Sequence, residues 1–291
     1  MTLPASPNAS NASVALTAPT AAGLPNGPAP AAETPLTIDI VSDVVCPWCY
    51  IGKRKLEAAL ALPQAADLPP VQIRWHPFQL NPDLPEAGMP RKQYLEEKFG
   101  GPARAAEIYA RVHAAGAAVG LDLNFGAIQQ QANTLAAHAL IAFAQAADAR
   151  VRDGRAVDER AVAGPAIDLR EMDGHATLAN AGNSFGDSVK ERLLKAYFVQ
   201  GRFIGSVDVL AEIAVEAGLD GDAARAYICD AANRAQVAQA DAQARQMGVS
   251  GVPFFIFNQK VAVSGAQDPA TLLAAMQQAV AEKAHAQRAE A

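Results

Sequence analysis

The sequence predicts an α/β protein in which a long run of helices interrupts the strands of one sheet. Residues 37–78 have the pattern of a strand, a helix and a second strand. Residues 90–247 have almost only helical patterns, and residues 253–283 return to two strands and a final helix. Together these three observations give the order β-α-β, helical block, β-β-α.

The first segment is predicted to be a β-α-β unit because its periodicity changes twice. Apolar and polar residues alternate at the start of 37–45 and again in 71–78, which predicts strands. Between them, the helical pattern of 47–61 begins with Pro47, whose missing N–H would be unpaired at the first helical position anyway. Pro63 ends the helix, and the short connections predict that the two strands are parallel.

The following segments predict the helical block and the end of the sheet. The predicted helices are 91–99, 103–119, 133–149, 188–200, 206–217, 221–229 and 233–247. No strand is predicted among them. The strands at 253–257 and 260–263 are expected to form a hairpin around the turn Asn258-Gln259, and a last helix follows at 269–283.

Composition and charge indicate which classes of function are not expected. The 291-residue chain is 51% hydrophobic and 19% charged, which is typical of a globular protein with a core. Its net charge of -6 and its pI near 5.4 predict no binding to nucleic acid and no attraction to an anionic membrane surface. No stretch approaches the roughly 18 apolar residues of a membrane helix, so we expect no membrane span.

Two segments show neither the helical nor the strand periodicity. Residues 1–35 are rich in Ala, Pro, Ser and Thr and precede the first basic residue, Lys53, so we expect a disordered tail and not a secretory signal. A cytoplasmic location follows as an expectation, and a cysteine pair in that compartment is usually catalytic or metal-binding. Residues 150–187 carry Gly, Pro and charges without a period, which predicts a partly disordered surface insertion between two helices.

The motif Cys46-Pro47-Trp48-Cys49 lies where the first strand meets the first helix. Unpaired N–H groups and the positive end of the helix dipole stabilise a thiolate at this position. Two intervening residues place the second sulfur one turn on, within reach of the first. We therefore predict that Cys46 is the attacking thiolate and Cys49 the buried resolving thiol. Trp48 is expected to be exposed beside the sulfur and to offer a substrate an apolar contact.

Three other interpretations of the pair are a zinc site, a metal cluster and two ordinary core cysteines. A zinc site needs about four ligands, and Cys229 and the histidines form no second paired motif. A cluster lacks the required thiolates, and core cysteines need not flank a proline at a helix start. We therefore expect no metal and no cofactor beyond the redox-active pair itself. The histidines are His76, His113, His138, His175 and His285.

Six segments of the sequence match motifs of one known family: 46–53, 76–82, 133–138, 196–198, 248–255 and 264–267. Together they resemble the FrnE-type branch of the DsbA-like proteins, which have a thioredoxin fold. The resemblance spans 37–283 and implies a thioredoxin-like fold with a large inserted α-helical domain. It assigns 36–85 and 248–285 to the thioredoxin-like domain and 86–247 to the inserted domain. It also implies disulfide oxidoreductase or isomerase activity, without a particular substrate.

The segment Gly251-Val252-Pro253 precedes the strand of the hairpin. In thioredoxin-like proteins a cis-proline loop lies at this point and faces the disulfide. The resemblance therefore implies a cis bond before Pro253, with the backbone of Val252 directed at an extended thiol substrate. The predicted substrate-binding residues are Pro47, Trp48, Gly251, Val252 and Pro253.

Other candidate residues have simpler interpretations. His138 and Asn133 are predicted on a helix that covers the active-site face, where a packing histidine with a satisfied hydrogen bond is favoured and an accessory role stays open. His76, at a strand end, is interpreted as a turn residue. The charged run 53–55 is interpreted as a solvated helix face, and Cys229 as a packed thiol.

The pair and the resemblance favour thiol–disulfide exchange on protein or small thiol substrates, with glutathione open as a co-substrate. The alternative is a glutathione-dependent isomerase or transferase, like the related 2-hydroxychromene-2-carboxylate isomerases and kappa-class transferases, which usually carry Ser where Cys46 stands. A third hypothesis, a non-enzymatic adaptor, conflicts with the intact CxxC motif. The expected partners are thiol or disulfide substrates, and the oligomeric state is left between monomer and homodimer.

Overall fold

The computed structural model of the chain describes residues 34–153 and 184–290. Almost all of the predicted tail 1–35 and the middle of the predicted insertion 150–187 lie outside these residues. The described strands are β1 (Leu36–Ser42), β2 (Val71–Pro77), β3 (Met89–Pro90), β4 (Gln130–Gln131), β5 (Phe254–Phe257) and β6 (Val261–Ser264). The described helices are α1 (Pro47–Leu60), α2 (Arg91–Phe99), α3 (Pro102–Ala117), α4 (Leu135–Arg152), α5 (Phe185–Phe198), α6 (Val207–Glu216), α7 (Gly221–Cys229), α8 (Ala231–Gln246) and α9 (Pro269–Glu290).

Strand β1 lies inside a four-stranded sheet with the order β2-β1-β5-β6. It pairs in parallel with β2, with Ile40 opposite Trp75, and antiparallel with β5, with Ile40 opposite Phe255. The predicted parallel β-α-β unit is therefore confirmed. Because β1 has a neighbouring strand on each side, nearly every residue of it is buried, which explains its largely apolar sequence.

The hairpin of β5 and β6 turns at Asn258 and Gln259, as predicted. Both residues have positive φ, 49° and 58°, which is typical of the two-residue turns whose twist matches that of paired strands. The Asn258 side chain also accepts a hydrogen bond from the N–H of Thr37 and donates one to the carbonyl of Ala279. The turn therefore holds the hairpin to β1 and to α9.

The helical block, α2 to α8, follows β2 in the chain and ends before β5. The limits of α2 and α7 are the predicted ones, but α4 continues to Arg152 and α5 begins at Phe185, so the predicted insertion is too long at both ends. The prediction of no strand in the block is also wrong, since β3 and β4 form a short antiparallel pair. Strands of two residues are too short to show an alternating pattern.

The sheet and the helical block share one hydrophobic core. It contains Ile38 and Phe255 from the sheet, Leu140 from α4, Leu193 from α5 and Leu272 from α9. The carboxyl end of β1 therefore lies between the two parts of the fold. Within the described residues, no helix is long and apolar enough to cross a membrane.

The prediction that Cys229 is a packed thiol is wrong, because its side chain is exposed at the end of α7. Ala224 and Ile228 are the residues of this helix that are buried. They lie four residues apart and so share a face, and the residue after Ile228 points about 100° away from it.

Candidate active site

The two cysteines lie at the carboxyl end of β1, where α1 begins. Cys46 is the N-cap residue of α1, with an extended backbone (φ -96°, ψ 112°), and Pro47 is the first helical residue. The N–H of Cys49 donates to the carbonyl of Cys46 across 3.0 Å, which brings the second cysteine back over the first. Both thiols are free. The predicted position of the motif at a helix start is confirmed.

The tryptophan between the cysteines is far more accessible than either thiol. Trp48 is 41% exposed, whereas Cys46 is 5% and Cys49 2% exposed. The predicted exposure of Trp48 is confirmed. Both sulfurs are nearly buried, so the indole is the accessible part of the motif.

Cys49 is surrounded by groups that keep its thiol protonated. Burial raises the pKa of Cys49 well above its ordinary value, and the hydrogen bond with Cys46 and the charge of Cys46 raise it further. The charge of Lys190 and a backbone hydrogen bond from Asp43 lower this pKa, but by less. These causes together favour the neutral thiol form of Cys49.

The loop before β5 faces the first cysteine. The bond between Val252 and Pro253 is cis, as the family resemblance implies. The Cys46 thiol donates to the Val252 carbonyl, with 3.7 Å between sulfur and oxygen. Gly251 and Val252 are partly exposed, and Pro253 is buried. The structure thus brings together the two segments predicted to form the site.

Gly52 permits this approach and was missed in the sequence. A Cβ at this position would lie 2.8 Å from Cγ of Pro253 and 3.3 Å from Cζ of Phe255, closer than side chains tolerate. Its signal was a glycine inside a predicted helix, a position that usually has a packing reason. Gly52 therefore allows α1 to contact the cis-proline loop.

Asp43, also not singled out in the sequence, anchors the turn between β1 and α1. Its side chain is fully buried, and one oxygen lies 3.3 Å from Nε2 of His138 while the other accepts from the N–H of Leu80. Its backbone carbonyl accepts from the N–H of Cys46. His138 is a buried residue of α4 with a carboxylate partner, which agrees with the helix-packing interpretation. Through Asp43, His138 is linked to the turn that carries Cys46.

Asn133 lies just before α4, and its predicted position on the helix is wrong. Its side-chain oxygen accepts from the N–H of Leu135 and from the amide of Gln79, and its nitrogen donates to the carbonyl of Leu84. An Asn side chain that accepts a hydrogen bond from the N–H two residues later gives the backbone an alternative to helical hydrogen bonding. Asn is therefore favoured just before a helix and disfavoured inside one. His76 lies within β2, 2.8 Å from Asp39, and not in a turn.

The interpretation of 53–55 as a solvated face is wrong. Lys53 is 4% exposed and pairs with acidic residues of both α1 and α5. Burial would lower its pKa, but the charges of Asp187, Glu191 and Glu57 outweigh burial and raise it. The described members of this network are Tyr50, Lys53, Arg54, Glu57, Asp187 and Glu191. It fastens the cysteine-bearing helix to the helical block.

The fold and the paired cysteines define a thioredoxin-fold protein with a CxxC motif at the start of its first helix. Residues 37–161 and 165–277 match the DSBA-like thioredoxin domain, so the chain belongs to this family. The predicted thioredoxin-like fold with an inserted helical domain is confirmed, and members of the family are oxidoreductases and isomerases. Among the described residues, no group of three or more His, Cys, Asp or Glu side chains is arranged to hold a metal.

Solved structures and one curated sequence resemble the chain. The probable DsbA oxidoreductase SCO1869 from Streptomyces coelicolor has 26% identity and a TM-score of 0.63, over 85% of this chain and 91% of that one. A 2-hydroxychromene-2-carboxylate isomerase has 15% identity and a TM-score of 0.52, over 86% of this chain and 98% of that one, a likeness of fold alone. The uncharacterized protein YwbO of Bacillus subtilis (strain 168) is 24% identical over 188 residues, 63% of this chain and 67% of that protein.

Proposed function

We propose that this protein is a thiol–disulfide oxidoreductase of the FrnE-type branch that acts through Cys46 and Cys49. The observation that carries the proposal is the contact of the Cys46 thiol with the Val252 carbonyl, at the N-terminus of α1 and in front of a buried second thiol. A reactive sulfur, a resolving sulfur and a backbone edge for the substrate therefore lie together.

The proposed reduction has two steps. The Cys46 thiolate attacks one sulfur of a substrate disulfide, a mixed disulfide forms, and the other substrate sulfur leaves as a thiolate. Cys49 then gives its proton to a departing substrate sulfur and attacks Cys46. The substrate ends with one thiol and one thiolate, which takes a proton from water, and the protein ends with a Cys46–Cys49 disulfide. The reverse sequence oxidises a substrate dithiol.

The surroundings favour Cys46 for the first step. Cys46 is the N-cap residue of α1, and the positive end of the helix dipole favours an anion at that position. Cys49 is held neutral by burial and by its neighbour. Formation of the mixed disulfide removes the charge of Cys46, and Cys49 can then ionise more easily. The order of the two attacks thus follows from the charges at the site.

The substrate is expected to bind between Trp48 and the cis-proline loop. Trp48, between the two cysteines in the chain, exposes an apolar ring, and the backbone of Val252 lies against the Cys46 thiol. A protein segment in an extended conformation fits this arrangement, and glutathione is the proposed small-thiol partner that returns the pair to the reduced state.

Insulin reduction with dithiothreitol tests the proposal. We expect the wild type to accelerate insulin precipitation, Cys46→Ser to be inactive and Cys49→Ala to be strongly impaired. Cys229→Ser, at the exposed third cysteine, is the matched control and should retain full activity. Equal activity of wild type and Cys46→Ser would exclude the proposal. Full activity of Cys46→Ser in a glutathione-dependent isomerase assay would favour the alternative function.

A further inference from the structure

A cavity lies along the outer edge of β2. Its volume is about 760 Å³, and its wall is formed by β2 together with residues of α4, α5, α7 and α8. Neither cysteine and no residue of the cis-proline loop is among its described lining residues. Cavities of this size hold small organic molecules.

Three buried hydrogen-bond donors in this wall have no acceptor. Ser42 Oγ, Trp75 Nε1 and Lys190 Nζ are buried atoms of lining residues, and nothing in the described part of the chain accepts a hydrogen bond from any of them. Buried polar groups in folded proteins are nearly always paired. An unpaired buried ammonium is especially costly. The three donors therefore indicate that an acceptor from outside the chain belongs here.

The donors converge on one region. The ammonium of Lys190 lies over the indole of Trp75, 5.1 Å from its centroid. Trp75 is opposite Ile40 in the sheet, and Ser42 follows Ile40 by two residues. Because alternate residues share a sheet face, Ser42 and Trp75 point to the same side, about 7 Å apart along the strands.

The contrast with Lys53 shows that Lys190 is not simply one more member of the buried ion network. Lys53 contacts three carboxylates, whereas Lys190 pairs with none among the described residues. Burial lowers the pKa of Lys190, and the charges of Cys49 and Asp43 oppose that change. Both oxygens of Asp43 are already occupied by His138 and the N–H of Leu80.

The cavity is also cationic, although the whole chain has a net charge of -6. Its described lining contains Arg152 and Lys190 against a single carboxylate, Asp148, and also Arg74, which lies 3.5 Å from the Asp39 carboxylate. The Asp148 carboxylate accepts hydrogen bonds from two N–H groups at the start of α5. The excess of donors and of positive charge favours a negatively charged occupant.

We propose that this cavity is a binding site for a small organic carboxylate, distinct from the thiol site. The carboxylate accepts hydrogen bonds from Lys190, Trp75 and Ser42. The apolar part of the ligand lies against Val71, Ile73 and Ile141, which also line the cavity. The proposal requires no reaction at Cys46 or Cys49 and is independent of the proposed function.

Calorimetric titration of the full chain with sodium benzoate tests the site, with benzamide as the neutral isostere. We expect saturable benzoate binding and at least about tenfold weaker binding of benzamide, because charged hydrogen bonds contribute most of the affinity. Lys190→Met should weaken benzoate binding at least about tenfold. Trp75→Phe, which removes the indole N–H and keeps an aromatic ring, should weaken it about threefold or more.

Two controls make the outcome decisive. Lys260→Met, at an exposed lysine of the hairpin turn, should bind benzoate like the wild type. The double variant Cys46→Ser, Cys49→Ser should also bind normally, which separates this site from the redox activity. If Lys190→Met does not fold, Trp75→Phe and Ser42→Ala provide the same test. Absence of benzoate binding, equal affinity for benzamide, or unchanged affinity in the folded donor variants would each overturn the proposal.

Discussion

The thiol of Cys46 and the carbonyl of Val252 contact each other across 3.7 Å, although 206 positions separate them in the chain. The contact joins the start of α1 to the loop that precedes β5. The described helices α2 to α8 lie between them in sequence, and the fold brings the two short segments together. The predictions below concern this contact and the groups that support it.

Substitution of the second cysteine should trap substrates. Cys49→Ala removes the thiol that resolves the mixed disulfide, so adducts at Cys46 should accumulate on non-reducing gels and disappear with dithiothreitol. Adducts should be absent from the double variant Cys46→Ser, Cys49→Ala. If mass spectrometry instead located the adducts at the exposed Cys229, the assignment of Cys46 as the attacking residue would be wrong.

Gly52→Ala should destabilise the protein. The added methyl group would overlap Pro253, and overpacking of this kind costs about 1–3 kcal/mol of unfolding free energy. Urea unfolding measures the loss. Gly126→Ala is the matched control, since a Cβ there would meet only one atom within 4 Å, the side-chain oxygen of Asn124 at 3.6 Å. Equal stability of Gly52→Ala and the wild type would contradict the close approach of α1 and the loop.

Lys190→Met should slow the second step of the reaction. The charge of Lys190 lowers the pKa of Cys49, so its removal raises that pKa further above the ordinary value. Less Cys49 is then ionised at neutral pH, and release of a mixed disulfide made with a chromogenic thiol should be slower. The rise of this rate with pH should move to higher pH in the variant. The same pH profile in both proteins would show that Lys190 does not influence Cys49.

The ion network between α1 and α5 should make the free energy of unfolding depend on pH in the acidic range. Burial would raise the pKa of Glu191, but Lys53 and Arg54 outweigh burial and lower it from 4.5 to about 2. The resulting stabilisation is complete above pH 4.5 and is lost as the pH falls toward 2. Wild-type unfolding free energy should decline across this range.

Glu191→Gln should remove the part of the acid-dependent decline in unfolding free energy that Glu191 causes. At pH 7 it should lower the unfolding free energy by about 3–5 kcal/mol, because it leaves buried cations without their partner. Glu212→Gln, on the exposed surface of α6, breaks an ion pair with Arg202 and should cost less than about 1 kcal/mol. A similar cost for both variants would show that burial of the network has no influence.

The reduction potential should be lower than that of DsbA, about -120 mV. The Pro47-Trp48 dipeptide lacks the histidine found between the cysteines of strongly oxidising periplasmic relatives, so one group that stabilises the thiolate is absent. Titration against glutathione buffers measures this potential. A value equal to or above that of DsbA would refute the expectation.

Much of the fold could be predicted because its signals are local. The alternation in 37–45 and 71–78 predicted two strands, and their short connections to the helix predicted that the strands are parallel. Asn258-Gln259 predicted the turn of the hairpin. The position of Cys46 at a helix start also depends only on its neighbours in sequence. The cis bond before Pro253 came from resemblance to a family, since a proline before a strand has no distinctive pattern by itself.

Two of the wrong predictions, those for Lys53 and Cys229, share a physical cause. Lys53 is buried and Cys229 is exposed, contrary to the predictions. Both depend on which face of a helix is covered by segments far away in the chain, and a charged run or an apolar neighbourhood does not reveal that. Two-residue strands such as β3 were missed because they are too short for a period.

The sequence by itself determined the order of elements, the placement of the cysteine pair and the class of chemistry, because helix starts, turns and strand periodicities are set by adjacent residues. Only the tertiary structure decided which groups surround the sulfurs. Asp43, Gly52 and Lys190 become important only when α1, the cis-proline loop and α5 are packed together. Burial and charge interactions act through space, and no local pattern in the chain records the distances on which they depend.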